Sequence, residues 1–465
     1  MTTLVDAPPV PADILYAGLT ADASRAIGEW RGDPAWARDW RASGWAALQT
    51  IPMPTSTTEG WRRTPLNIID LDQVHAVAAP GDPVRRAADL PEAIRALVDN
   101  GADHAATVVQ SNGTNMLDEM SDEARAAGVI VCDIHDAFHR YPDLVRAHLG
   151  ALVPARWQPG MPSNAGKFEA LNAAFFSGGT FIHVPKGVTV SLPVRILNWH
   201  ADPVAGFFPR SLVIVGENAR LVLLEEYASV DAPAGDHPVF GSAVVEVFVK
   251  DGARLDYTTI QNWSLSTAGF VTQRMTLGND AYCNWVSVSL GGMYTRGTAD
   301  VVLAGKGTKA DMLGLAFGDG TQVFDFHTLQ DHQSPFTDSD QLYKTAMRER
   351  SRLVYEGLIN IRPGSYGCNG YQANRNLLLN DTAKADSIPM LEISDNDVRC
   401  THGSSVGPID QMHVYYLMTR GLPRPVAERV VVQGFFEPVI DRIASEDLKE
   451  RVRAAVDAKI GGQEA

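Results

Sequence analysis

The chain has 465 residues, 45% of them hydrophobic and 20% charged, which is typical of a globular protein. Its formal net charge of −15 argues against nucleic acid and anionic membranes as main partners, because both attract clustered Lys and Arg. Four cysteines without a CxxC pair argue against a disulfide framework, and no apolar run approaches the ~18 residues of a membrane span. The first residues lack the regions of a signal peptide, so we expect a cytoplasmic protein.

Residues 1–160 are predicted to form a mainly helical N-terminal domain. The alanine-rich stretches from Ala21 to Trp30 and from Pro34 to Gln49 have helical periodicity, and their aromatic residues are interpreted as core. The segment from Thr57 to Leu66, TTEGWRRTPL, is interpreted as a solvated turn with Trp61 as an aromatic anchor.

Residues 161–407 are predicted to form the β core of the protein. Short runs rich in Val, Ile, Leu, Phe and Thr, broken by Gly, Asn and Asp, extend from Gly179 to Ile393. Six segments share a small residue before a strand-like run, and their spacing is irregular. This pattern favours a solenoid, whose coils bury their faces against one another, over the alternative of a β-sandwich. We expect the flanking helical segments to cover its open ends. The small residues are Ala219, Ala253, Ala281, Thr308, Ser351 and Ala383.

Residues 408–465 are predicted to form a C-terminal helical domain. Asp410 is an expected N-cap and Gly421 an expected C-terminal stop of its first helix. Two further helical stretches follow, and their position after the strand array favours a role in partner binding. Phe435 and Phe436 are the candidate anchors for such a partner.

Cys400 and His402 are the candidate metal ligands. They lie two residues apart at the end of the strand array, so in an extended chain both side chains project from one face. A thiolate and an imidazole suit a soft metal, but two ligands do not complete a site. A second cluster, His327 and His332, is interpreted as structural, with the rings bonded to backbone carbonyls.

The sequence has no HExxH motif and no Walker A lysine loop, and no GxSxG elbow or GxGxxG at a strand–helix junction stands out, so we expect no enzymatic activity. Carboxylates are plentiful, however, and a β-helix enzyme acting on polysaccharide stays open as an alternative. A metal-storage or metal-sensing protein is a third possibility, which predicts stoichiometric metal on the isolated chain.

Several motifs in order identify a resemblance to a known family. They are TTEGWRRTPL, KFEALNAAFFSGGTFIHVPKGV, NRNLLLNDTAKADSIP, DVRCTHGSSVG, VYYLMTRGL and VVQGFFEPVI. With them the chain resembles the SufB/SufD scaffold family of the SUF iron-sulfur cluster assembly system over most of its length. The resemblance implies a mainly β fold, a right-handed parallel β-helix core between N-terminal and C-terminal helical domains.

Within this family the chain is more similar to the SufD type. SufB usually has a cysteine at the position of Asn374 and a glutamate at that of Gly403. The resemblance implies pairing with SufB, or with a second copy of the chain, through the β-helix. It also implies binding of the ABC-type ATPase SufC through the C-terminal helices. Iron or an iron-sulfur cluster is expected only transiently in the complex, with His402 and Cys400 as ligands shared with a partner subunit.

Overall fold

The computed structural model describes residues 9–64, 66–98, 103–155, 166–202, 205–231 and 238–461. The domain boundary expected at residue 160 lies outside these residues, as do both chain ends. Among the described residues, no helix is long and apolar enough to cross a membrane.

The helices flank the strands in the chain order, and their starts follow local capping rules. Thr20 caps the first helix by accepting a hydrogen bond from the backbone N–H of Ala23, and Asp410 caps α8 in the same way through Met412. Gly421 follows α8 with a positive φ of 94°, as expected for a helix stop. The helices are α1 Ala21–Trp30, α2 Ala35–Thr50, α3 Glu92–Val98, α4 Asp122–Ala126, α5 Ile134–Arg140, α6 Pro142–His148, α7 Lys167–Phe175, α8 Gln411–Thr419, α9 Arg424–Ile440 and α10 Glu446–Gly461.

The strands form two facing sheets of a parallel β-helix, which confirms the predicted fold class. They are β1 Ala106–Ser111, β2 Thr114–Met120, β3 Ile130–Asp133, β4 Thr180–Val184, β5 Val194–His200, β6 Arg210–Val215, β7 Arg220–Ser229, β8 Val239–Val249, β9 Arg254–Asn262, β10 Thr267–Leu277, β11 Tyr282–Ser289, β12 Tyr294–Leu303, β13 Lys309–Gly318, β14 Val323–His332, β15 Asp338–Met347, β16 Arg352–Ile361, β17 Cys368–Leu378, β18 Lys384–Ile393 and β19 Val398–Pro408.

From β4 onward, successive strands alternate between the two sheets, which is the defining topology of the coils. The first sheet has the order β19-β17-β15-β13-β11-β9-β7-β5-β1-β2, and the second has the order β18-β16-β14-β12-β10-β8-β6-β4-β3. From β4 and β5 onward, every pairing within a sheet is parallel. Each coil therefore contributes one strand to each sheet and stacks on the coil before it.

The small residues identified in the sequence lie at the turns that precede strands, as predicted. Ala219, Ala253, Ala281 and Thr308 precede strands of the first sheet and are at most 1% exposed. Ser351 and Ala383 precede strands of the second sheet instead. The long interval between Thr308 and Ser351 therefore reflects a change from one corner of the coil to the other.

The flanking helices cover the outer faces of the β-helix. Helices α1, α2 and α7 pack on the second sheet in one apolar cluster that includes Phe168, Phe240 and Phe270. Helices α9 and α10 pack on the first sheet in another cluster that includes Leu315 and Phe317. The expectation that these helices cover the ends was wrong, because their apolar stripes match the broad outward faces of the sheets.

The N-terminal end is instead closed by strands that the sequence analysis missed. The hairpin β1–β2 extends the first sheet beyond β5, and β3 adds an antiparallel edge to the second sheet. Asn112 and Gly113 form the turn of the β1–β2 hairpin with φ of 50° and 86°, because a two-residue hairpin turn requires positive φ at both residues. The N-terminal region therefore contributes strands to both sheets in addition to its helices α1 to α6.

The segment from Thr57 to Leu66 is attached to the β-helix and is not a solvated turn. Trp61 is 4% exposed and lies under the guanidinium of Arg296, 3.8 Å from the ring centroid. Thr64 donates a hydrogen bond of 2.6 Å to Asp325, which also receives one from Arg296. This motif therefore anchors the N-terminal region to β12 and β14.

Candidate functional site

The candidate metal ligands lie on the last strand of the first sheet, at the C-terminal end of the β-helix. In β19, Cys400 pairs in register with Gly370 and His402 with Gln372. Gln372 is fully buried inside the β-helix, and side chains two residues apart on a strand share a face. Cys400 and His402 therefore belong to the interior-facing row, at the coil where the interior meets solvent.

The two residues differ in their exposure. Cys400 is half-buried and packs beside Cys368 and Ile359, whereas His402 is exposed. Burial raises the pKa of the Cys400 thiol, so the thiol form dominates at neutral pH. A metal at Cys400 would have to displace this proton when it binds.

The described part of the chain contains no group of three or more His, Cys, Asp or Glu side chains placed to hold a metal ion. Cys400 and His402 thus have no third such ligand among these residues. A soft metal held by this pair would need further ligands from outside the described residues or from another subunit.

The surroundings of Cys400 and His402 form an open edge, which we call the open end and define as strands β18 and β19. Among the described residues, β18 pairs in the sheet only with β16, and β19 only with β17. Met390, Ile393 and Val406 expose 39%, 44% and 44% of their surface there. Unpaired strands with exposed apolar residues are templates for pairing with another chain.

His327 and His332 are structural residues with side-chain partners. His327 bonds Asp325 at 2.9 Å, and the two ring nitrogens of His332 lie 2.7 Å from Thr337 and 2.8 Å from Ser339. The partners are carboxylate and hydroxyl groups rather than the backbone carbonyls that we expected. Burial lowers the pKa of His332 to about 4, so its ring is neutral at physiological pH.

Phe435 and Phe436 lie in α9 with different surroundings. Phe436 is fully buried and packs against Phe317 in the chain's own core, so its ring is not accessible to a partner in the structure. Phe435 is half-buried beneath the ammonium of Lys344, 4.7 Å from the ring centroid. Neither residue presents a large apolar surface to solvent.

Exposed apolar residues occur one helix earlier, in α8, where the sequence analysis did not select them. Met412, Tyr415, Tyr416 and Met418 expose 71%, 63%, 56% and 40% of their surface, and we call these four residues the α8 patch. Only Val414 of this helix is buried. The sequence already contained this signal. QMHVYYLMT carries apolar residues on more than one side of the helix, and only Val414 is buried against the rest of the chain.

The two positions at which SufB differs lie on opposite faces of the last coils. Asn374 is fully buried in the interior and accepts a hydrogen bond of 2.6 Å from Asn376. Gly403 lies on the outward face, where an added Cβ would be 3.8 Å from the guanidinium of Arg375. A thiol at the first position would face the interior row that contains Cys400, whereas a carboxylate at the second would face Arg375.

Comparisons with known proteins agree over most of the chain. Residues 16–196 match the SufBD protein N-terminal region, and residues 198–435 match the SUF system FeS cluster assembly SufBD core domain. An iron-sulfur cluster assembly SufBD family protein of Staphylococcus epidermidis is 28% identical over 96% of this chain and 94% of its own. SufD of Bacillus subtilis is 27% identical over 92% of this chain and 95% of its own, and SufB of the same species is 27% identical over 96% and 94%. The chain therefore belongs to the SufBD family of SUF iron-sulfur cluster assembly proteins.

Proposed function

We propose that this chain is a non-catalytic, cytoplasmic scaffold subunit of the SufD type, which pairs with SufB and SufC during iron-sulfur cluster assembly. The observation that carries the proposal is the open end, where Cys400 and His402 stand on an unpaired strand with incomplete ligation. Family membership supports the process, and Asn374 and Gly403 favour the SufD type over SufB. Iron or the cluster is cargo of the complex and not a resident group of this chain.

SufB pairs with the open end. A strand added to β18 or β19 continues the parallel stack and covers Met390, Ile393 and Val406, which are apolar and exposed. A second copy of this chain offers the same edge, so the isolated protein forms a homodimer through it when SufB is absent. Pairing places the side chains of the partner next to His402, where they supply the missing metal ligands.

The experiment on this site measures iron and sulfide in the copurified complex. His402→Ala reduces both contents sharply while SufB and SufC remain bound, because the exposed imidazole is a ligand and not part of the core. His139→Ala, which removes another exposed histidine, leaves the contents unchanged. Equal contents for His402→Ala and wild type would overturn the ligand role and leave the scaffold role standing.

SufC docks on the α8 patch. Tyr and Met are frequent at protein interfaces, and four of them are exposed here on one short helix. Helices α9 and α10 hold this helix against the β-helix, so force generated by an ATPase bound at α8 reaches the strand array through packed elements. Unlike Phe436, which is buried, the residues of the α8 patch are accessible to a partner.

Substitutions on α8 test the docking site better than a truncation does. Removal of all residues after Gly407 would uncover Leu313, Leu315 and Phe317, so loss of binding could reflect unfolding. The double variant Tyr415→Ser, Tyr416→Ser instead weakens SufC capture by about thirtyfold or more, as expected for hot-spot residues. Leu265→Ser, at a residue 61% exposed elsewhere, is the matched control. Unchanged capture by the double variant would overturn this docking site.

A further inference from the structure

A cavity of about 680 Å³ lies between the outer face of the first sheet and α9. Strands β13, β15, β17 and β19 form its floor, and Phe435 and Pro438 of α9 form one wall together with Arg442, which follows this helix. This volume is within the range of small-molecule sites, which are concave and mostly apolar with a few convergent polar groups. None of the candidate site residues Cys400, His402 and Phe436 lines it.

One end of the cavity carries two positive charges side by side. Lys344 and Arg375 are direct neighbours in the parallel pairing of β15 with β17, and both are half-buried. Like charges opposite each other on neighbouring strands destabilise a sheet. Within the described residues, neither side chain lies within 4.0 Å of a carboxylate, whereas nearby Arg442 pairs with Asp311 and Arg352 with Asp386.

The Lys344 ammonium has N–H donors that its hydrogen bond within the chain does not use. The Lys344 ammonium donates one hydrogen bond of 2.7 Å to the backbone carbonyl of Phe435 and has two further protons. Burial and the neighbouring Arg375 lower the pKa of Lys344, so the charged form is held there at a cost. A bound anion would relieve the repulsion and accept hydrogen bonds from the remaining donors.

The other end of the cavity carries the carboxylates of Asp311 and Asp340 and the guanidinium of Arg442, which pairs with Asp311. Asp340 precedes Lys344 by four residues on the same strand, which corresponds to about 13 Å. Its carboxylate stands beside Asp311, and burial together with Asp311 raises the pKa of Asp340. The apolar side chains of Leu342, Leu377 and Phe435 lie between the two ends. The cavity thus has a cationic end, an apolar middle and a mixed-charge end at which the Asp340 carboxylate can accept a hydrogen bond.

We propose that this cavity binds a nucleoside monophosphate, with its phosphate on Lys344 and Arg375 and its base toward Asp340. The planar guanidinium of Arg375 matches two phosphate oxygens, and the Lys344 ammonium adds a third donor. The base lies over the apolar middle, and an exocyclic amino group donates to the Asp340 carboxylate. Inorganic phosphate would occupy only the cationic end. A nucleotide also carries a base, which can extend along the strands from Lys344 to Asp340.

Calorimetric titration of the isolated full-length chain with adenosine monophosphate tests the proposal. Wild type binds this nucleotide, while Lys344→Gln and Arg375→Gln each weaken binding by about tenfold or more. Lys344→Gln keeps a donor for the Phe435 carbonyl, so α9 stays attached. Arg220→Gln, at an exposed arginine on β7 of the same sheet, is the matched control and binds like wild type. No binding to wild type, or equal binding by all variants, overturns the proposal.

Three further measurements separate a ligand site from other roles. Adenosine and inorganic phosphate each bind about tenfold more weakly than the nucleotide, since each fills one end of the cavity; equal affinity for phosphate alone overturns the nucleotide assignment. Without ligand, Arg375→Gln melts at or above the wild-type temperature because repulsion is relieved, whereas a purely structural arginine would lower it. If the same variants weaken capture of SufB or SufC and nucleotide does not bind, the cavity holds an acidic segment of a partner and the small-molecule proposal fails.

Discussion

The two ends of the β-helix are built from the same kind of coil but differ in what covers them. Toward the N-terminal end, every residue of β1 and three of the four residues of β3 are buried, and the ion pair between Arg210 and Glu246 of the nearby strands β6 and β8 is fully enclosed. At the C-terminal end, no residue of β18 or β19 is buried. A strand in a solenoid is therefore buried by the coils and helices that pack against it, and not by its own sequence.

The two ends also differ in how they satisfy charge. The Glu246 carboxylate accepts hydrogen bonds from Arg210 and from the backbone N–H groups of Gly150, Leu152 and Val153. These contacts tie the segment after α6 to the first coils, so the N-terminal end is closed by the chain itself. At the open end, solvent takes the place of such partners.

Introducing a lysine at each end gives the largest expected contrast. Val215→Lys in β6, at a fully buried position, abolishes cooperative folding because an unpaired buried charge costs several kcal/mol. Val406→Lys at the open end changes the free energy of unfolding by less than about 0.5 kcal/mol. Denaturant unfolding followed by circular dichroism measures both. A large loss for Val406→Lys would show that the open end is covered within the chain.

Breaking the buried ion pair gives the next largest effect. Arg210→Met leaves the Glu246 carboxylate buried without its cation and lowers the free energy of unfolding by about 3–5 kcal/mol. Arg399→Met, which removes an exposed arginine on β19, stays within about 0.5 kcal/mol of wild type. Urea titration of the two variants checks this, and similar losses for both would contradict the contrast between the ends.

The pH dependence of stability distinguishes buried from exposed histidines. Burial lowers the pKa of His332 from 6.5 to about 4, so the unfolded chain binds a proton that the folded chain does not bind between these values. Stability is therefore complete above pH 6.5 and falls by at most about 3 kcal/mol as the pH drops to 4.

The variant His332→Asn removes this proton uptake by the unfolded state and flattens the slope between pH 6.5 and 4. His402→Asn, at the exposed histidine of the open end, is the control. Thermal unfolding at several pH values makes the measurement. An unchanged slope in His332→Asn would show that other groups cause the acid sensitivity.

Thiol labelling gives the smallest effect and reports directly on the open end. All four cysteines are free, and Cys132, Cys283 and Cys368 are buried whereas Cys400 is half-buried. One thiol per chain reacts with a thiol reagent under native conditions, slowly because burial raises the pKa of Cys400. Cys400→Ser abolishes the reaction with little change in stability. Reaction of a second thiol would mean that the interior opens more widely than the structure indicates.

Much of the fold was predictable because its signals are local. The small residues before strands, the Asp410 cap and the Gly421 stop follow from backbone sterics and short-range hydrogen bonds. The β1–β2 hairpin was predictable too, since Asn112-Gly113 is a strong turn signal, but the surrounding alanine-rich helices obscured it.

The candidate site divides in the same way. Alternation along a strand determines by sequence alone that Cys400 and His402 share a face, and the Cys-x-His spacing identifies them as possible soft ligands. Only the tertiary structure determines that they lie at an open coil and that Phe436 is buried against Phe317. It also places Lys344 beside Arg375, with no carboxylate of the described residues within 4.0 Å of either. These outcomes depend on which side chains meet when the coils stack. The irregular spacing of the sequence repeats indicates that coils form but does not determine the register between them.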